Sequence, residues 1–155
     1  MTSEIIAIAS DHAGFELKSA LQQELIDQGY DILDLGTNSL NSADYPDFGY
    51  AMADALKGGQ AAWGVLVCGS GIGMSIAANR YRQIRAALVQ DVEAARMSRL
   101  HNDANVVCFA GRLIAPETAN FGNIAFDDEF THGYSPVTRC FARNAIVKAL
   151  LGICS

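Results

Sequence analysis

WGVLVCGSGIGMSIAANR, residues 63–80, changes its period in the middle. Trp63 to Cys68 is a continuous apolar run without polar alternation, which predicts a strand covered on both faces of a sheet. Glycines at 69, 71 and 73 then permit a tight turn, and Met74 to Asn79 reads as helical. A doubly buried strand leading through a glycine turn into a helix is the opening of a βαβ unit, because parallel sheets are the ones covered by helices on both sides.

The same alternation continues outward in both directions. Before it, Ile5 to Ala9 reads as a strand, and Phe15 to Gln28 as a helix with Leu17, Leu21 and Leu25 four apart and Gly29 as a stop. Tyr30 to Leu35 is a second strand closed by Gly36. Pro46 starts a helix that runs to about Leu56 and ends at Gly58 and Gly59. After it, Arg85 to Val89 is a fourth strand, Asp91 caps a helix to about Leu100, and Val106 to Ala110 is a fifth strand. Further helices are expected from about Pro116 and over about residues 138–151. No repeat or linker interrupts the chain. The expected architecture is one domain, residues 1–155: a Rossmann-like α/β/α sandwich with a five-stranded parallel sheet.

Composition narrows the function classes. Half of the 155 residues are hydrophobic and 18% are charged, an ordinary globular balance. The net charge of -6 and the lack of any Lys/Arg run argue against a nucleic-acid partner. The four cysteines, Cys68, Cys108, Cys140 and Cys154, form no C-x-x-C pair and stand with only three histidines, so no metal site and no cofactor is expected. They read as reduced thiols of a cytoplasmic protein. The N-terminus lacks the basic segment of a signal peptide. No apolar run reaches the roughly 18 residues that a membrane span needs.

In parallel sheets, ligands bind beyond the carboxyl ends of the strands. Ser10-Asp11-His12, Gly69-Ser70-Gly71 and Gly111-Arg112 all follow expected strands. CGSGIG, residues 68–73, can turn several N–H groups toward one oxyanion, or be a plain strand-to-helix turn. It is not a Walker A loop, since no Gly-Lys-Ser/Thr follows. It also fits a dinucleotide fingerprint poorly, with Met74 where the third glycine would stand. Cys68 can be a carbon-proton base or a core residue, and Asp11 an acid/base or a helix cap. His101 ends the fourth helix, where the dipole alone favours it. Arg139 and Arg143, four apart, make a phosphate clamp or a solvated face. Taken together, the inventory suits proton transfer on a phosphorylated sugar.

The motifs also carry a resemblance. SDHAGFELK at 10–18, DLGTNS at 34–39, DYPDFG at 44–49, CGSGIGMSIAANR at 68–80 and RLHNDANVVCFAGR at 99–112 stand in order and at matching spacing. They resemble the type B ribose-5-phosphate isomerases, in the same superfamily as the subunits of galactose-6-phosphate isomerase. The resemblance implies aldose–ketose isomerisation through a cis-enediol(ate), without metal or cofactor, in a homodimer with shared sites or in a tetramer. It implies Cys68 as the base between C1 and C2, His101 as the ring opener with Asp11 assisting, and Ser70 as the hydroxyl that helps move the proton between O1 and O2. The N–H groups of Gly69, Gly71, Ile72 and Gly73 would hold the enediolate. His12, Arg112, Arg139 and Arg143 would bind phosphate, and Tyr45 and Asn102 would line the sugar. After about Glu117 the chain departs from the family pattern: FTHGYSPVTRCFAR at 130–143 is longer by several residues, so Arg139 and Arg143 are aligned by their spacing alone. A six-carbon aldose 6-phosphate isomerase is the alternative within the same chemistry, and a non-catalytic sugar-phosphate sensor or a nucleotide-binding module the alternatives outside it.

Overall fold

The computed structural model describes residues 5–113. Its order is β1 (Ile5–Ser10), a 3-10 turn (His12–Gly14), α1 (Phe15–Asp27), β2 (Asp31–Asp34), α2 (Tyr45–Lys57), β3 (Trp63–Cys68), α3 (Ile72–Ala78), β4 (Ala86–Leu88), α4 (Val92–Asn102) and β5 (Val106–Ala110). The five strands are all parallel and lie in the order β2-β1-β3-β5-β4. The α/β sheet expected from the alternation is therefore present. The helices expected from about Pro116 and over residues 138–151 lie outside the described residues.

Successive strand residues point to opposite faces, and this sorts the apolar side chains into two cores. On one face Ile6, Ile8, Val65, Val67, Val107 and Phe109 meet Leu17, Leu21 and Leu25 of α1 and Ala95 of α4. On the other, Ala7, Ala9, Leu66, Cys68, Val106 and Cys108 meet Met52 and Ala53 of α2 and Met74 and Ala78 of α3. Both faces are covered, which is why VLVC and VVCFA are apolar without alternation. Burial of each α1 leucine stabilises the fold by roughly 1.5–3 kcal/mol. The small residues on the second face let α2 and α3 approach closely: a Cβ at Gly49 would stand 3.0 Å from the Ala77 Cβ.

Element ends follow local chemistry. Gly71 takes the left-handed conformation at φ +74°, and helix α3 begins directly after it, two residues before the expected start. Asp91 caps α4 by accepting the Ala94 N–H at 2.7 Å. β4 is shorter than the expected Arg85 to Val89, and one of its edges faces no strand among the described residues. There the Asn79 side chain substitutes for one: its Nδ2 donates to Ala86 O and its Oδ1 accepts Ala86 N–H, both at 2.8 Å.

Candidate active site

Beyond the carboxyl ends of β1, β3 and β5 the backbone is stitched into one floor. Asp11 N–H donates to Val67 O at 3.2 Å, Gly111 N–H to Cys68 O at 2.7 Å, and Arg112 N–H to Gly69 O at 3.1 Å. Two glycines permit this closeness. A Cβ at Gly14 would lie 2.5 Å from Val67 O, and one at Gly111 would lie 2.9 Å from Ala13 O. The three segments singled out after the strands are thereby brought together.

Cys68 is the last residue of β3, a free thiol that is 4% exposed. Cys108 lies below it on the same face of the sheet. Burial, and secondarily the Cys68 charge, push the Cys108 thiol far above the ordinary thiol range, so it stays neutral. Ser70 is exposed, and its Oγ accepts the Ile72 N–H at 3.4 Å. Ile72 is exposed beside it. Arg112 lies across the loop: a Cβ at Gly69 would meet its Cδ at 3.4 Å and its Nε at 3.6 Å. Tyr45, at the start of α2, lies on the far side. A Cβ at Gly73 would fall 2.8 Å from its Cε2 and Cζ, so the third glycine of the loop seats an aromatic ring.

Asp11 serves as a cap. Its Oδ1 accepts the N–H groups of Ala13 at 2.9 Å and Gly14 at 3.0 Å. Oδ2 has no protein partner among the described residues. His12 Nδ1 accepts the Ala43 N–H at 3.2 Å. That bond assigns the neutral ring's proton to Nε2 and makes Nε2–H the ring's donor.

His101 and Asn102 are not brought to this end. Helix α4 runs from the carboxyl end of β4 back to the amino end of β5, and both residues sit in its last turn, exposed. Cys68 is level with Ala110, whereas His101 and Asn102 precede Val106, where β5 begins. At about 3.3 Å per residue, the strand alone separates the two ends by about 13 Å. Asp103, left-handed at φ +49°, closes α4. It pairs with Arg85 and Arg99 at 2.9 Å each, and the Arg99 guanidinium lies 4.4 Å from the Trp63 ring centroid.

Arg139 and Arg143 fall outside the described residues. Among the described residues no group of three His, Cys, Asp or Glu stands together as a metal site, and no helix is long and apolar enough to cross a membrane. Sequence reasoning passed over Lys18, which is buried against Asp34 with its Nζ at 2.6 Å from Oδ1 and 2.8 Å from Oδ2. Its signal is positional: it takes a place on the apolar stripe of α1 with Leu21 and Leu25. A thiol, a carboxylate, an imidazole donor, a glycine loop and a guanidinium at one end can hold an anion and move a carbon-bound proton.

The family model described as Ribose/Galactose Isomerase matches residues 6–134. The chain is 41% identical over 114 residues to ribose-5-phosphate isomerase B of Escherichia coli (strain K12), covering 74% of this chain and 76% of that protein. It is 42% identical over 126 residues to a probable ribose-5-phosphate isomerase B of Mycoplasma pneumoniae, covering 81% and 80%. Among solved structures, a ribose 5-phosphate isomerase from Thermotoga maritima superposes with a TM-score of 0.77 at 41% identity, over 97% of this chain and 87% of that one.

Proposed function

This chain belongs to the ribose/galactose isomerase family, whose pattern spans residues 6–134, and from that premise we propose that it interconverts D-ribose 5-phosphate and D-ribulose 5-phosphate. It is an isomerase. The observation that carries the substrate reading is the set of groups around Cys68: Asp11, His12 and Arg112 on the floor tied to its backbone, with the glycine loop leading away from its carbonyl.

In the mechanism, His101 and Asp11 open the furanose ring by moving a proton between the ring oxygen and the C1 hydroxyl. The Cys68 thiolate then takes the C2 proton, giving a cis-enediolate whose charge rests on the N–H groups of Gly69 to Gly73. Ser70 passes a proton between O1 and O2, and Cys68 returns its proton to C1. No atom is gained or lost, and the thiol ends as it began. His12 Nε2–H and Arg112, with Arg139 and Arg143, hold the phosphate. Tyr45 and Asn102 flank the sugar. The whole chain, residues 1–155, acts as one cytoplasmic isomerase domain whose partner is this small substrate rather than a nucleic acid or a membrane.

The working unit is a homodimer, which can pair further into a tetramer. Its support is the separation of Cys68 from His101 within one chain, too long for groups that act on one sugar. Exposed apolar side chains flank both halves: Ile72 and Ile76 beside the glycine loop, Leu100 beside His101. Bringing one chain's loop end to another's α4 end would cover them.

The test is isomerisation of ribose 5-phosphate and allose 6-phosphate side by side, with chelator present, by wild type and Cys68→Ala. Turnover of the pentose with the higher kcat/KM, and its loss by more than tenfold in Cys68→Ala, is expected. Preference for the hexose would reject the substrate, and an active alanine variant would reject the base.

A further inference from the structure

Lys18 is the most deeply buried charged side chain among the described residues, at 1% exposure. It also stands 5.9 Å from the Phe15 ring centroid. The pair is buried on the Lys18 side only, with the Asp34 side chain 28% exposed, and it adds little to stability, because the loss of water around Lys18 and the solvent around Asp34 offset their attraction. What its partner Asp34 touches suggests another role. Asp34 Oδ1 also accepts the Gly36 N–H at 2.9 Å. Residues 36 and 37 are held to Ser10 from both sides, by Ser10 N–H to Gly36 O and by Thr37 N–H to Ser10 O, each at 2.7 Å. The ion pair thus fixes where the chain leaves β2, against the residue that precedes Asp11 and His12. From there the chain runs to Ala43, whose N–H holds His12 Nδ1.

We propose that Lys18 and Asp34 are positioning residues for His12. The pair sets the course of residues 36–43, and Ala43 at the end of that course keeps the imidazole in one tautomer with Nε2–H facing the substrate's phosphate. This gives a role to the ends of two motifs, SDHAGFELK and DLGTNS, that the chemistry itself leaves unused. It rests on the reading of His12 as a phosphate ligand and deepens it.

Two measurements separate the inference from that reading. The first is the ring nitrogen NMR spectrum of His12, assignable because the chain has three histidines and His12→Ala removes one signal. Lys18→Met/Asp34→Leu, which replaces the pair by apolar groups of similar size, is expected to turn the single Nε2–H tautomer into a mixture. The second is affinity. The same variant should raise KM for ribose 5-phosphate and the inhibition constant of inorganic phosphate by about three- to tenfold together, with kcat within about twofold, as expected for one misdirected hydrogen bond to an anion. Lys18→Met alone keeps the Asp34–Gly36 bond and serves if the double variant does not fold; a smaller change of the same kind is expected. An unaltered tautomer in the folded variants overturns the inference, as does unaltered phosphate affinity where His12→Ala loses it. If His12→Ala itself leaves phosphate affinity unchanged, the phosphate reading of His12 fails, and the spectrum alone decides on the pair.

Discussion

Mixing two dead variants should restore activity. Cys68→Ala removes the proposed base at the end of β3, and His101→Asn removes the proposed ring-opening imidazole in the last turn of α4. From Ala110, level with Cys68, back to Val106 the chain travels about 13 Å at about 3.3 Å per residue. Helix α4, with 11 residues, covers about 16 Å at 1.5 Å per residue. The atoms that the two groups must reach, a ring oxygen and a neighbouring carbon, belong to one sugar ring. If both groups act on that sugar as proposed, a single chain cannot serve both, and the proposed site takes Cys68 from one chain and His101 from another. Each variant alone should lose about a hundredfold or more, the usual loss when an acid or base is removed. After dissociation, mixing in equal amounts and reassociation, about half of the pairs are mixed. In each mixed pair one site carries both lesions and the other none, so recovery should approach about a quarter of wild type. The assay is ketose formation from ribose 5-phosphate, with native mass spectrometry to count mixed pairs. No recovery despite abundant mixed pairs would refute the reasoning and place both groups in one chain's site.

Three further outcomes are expected. Gly73→Ala places a methyl 2.8 Å from the Tyr45 ring, which must swing away, so KM should rise severalfold with little change in melting temperature; an unchanged KM would remove Tyr45 from the sugar site. Gly14→Ala drives a Cβ to 2.5 Å from the Val67 carbonyl oxygen, a backbone atom that cannot step aside. A loss of about 3 kcal/mol, or a melting point lower by roughly 6–12 °C, should follow in a thermal scan. Cys108, held neutral by burial, should resist iodoacetamide at pH 8 in the folded protein and react only as fast as the chain opens, which peptide mapping over time can follow.

The fold was readable because the two periods are unmistakable where both sheet faces are covered. VLVC and VVCFA have no polar alternation, and Leu17, Leu21 and Leu25 repeat at helical spacing. Strand order was not readable, because nothing in the apolar runs states that β5 inserts between β3 and β4. β4 read too long, because the sequence of an edge strand does not show that an Asn79 amide will take a neighbour's place. At the site, the segments after β1, β3 and β5 were legible from the rule about strand ends. The place of His101 is legible in part: it ends a helix between two parallel strands, which sets it at the amino end of β5, and the resemblance implies a site shared between two chains. Gly73 read as a donor of backbone N–H, and its contact with Tyr45 depends on a residue 28 positions earlier in another element. No role for Lys18 is legible, because a single sequence does not show that Asp34, sixteen residues on, pairs with it.

The amide of Asn79 has a consequence for how copies of this chain can grow into larger objects. An uncovered strand edge is a template: a second chain can add to it, expose a fresh edge of its own, and so polymerise without end. By filling both hydrogen-bonding positions of Ala86, Asn79 blocks strand addition at that residue of β4. A contact between side chains on helices ends differently, because a self-complementary patch is used up as soon as two copies meet. Asn79→Ala would reopen the edge, and its signature would be elongated aggregates that bind a fibril dye, formed under conditions where wild type stays at one discrete size.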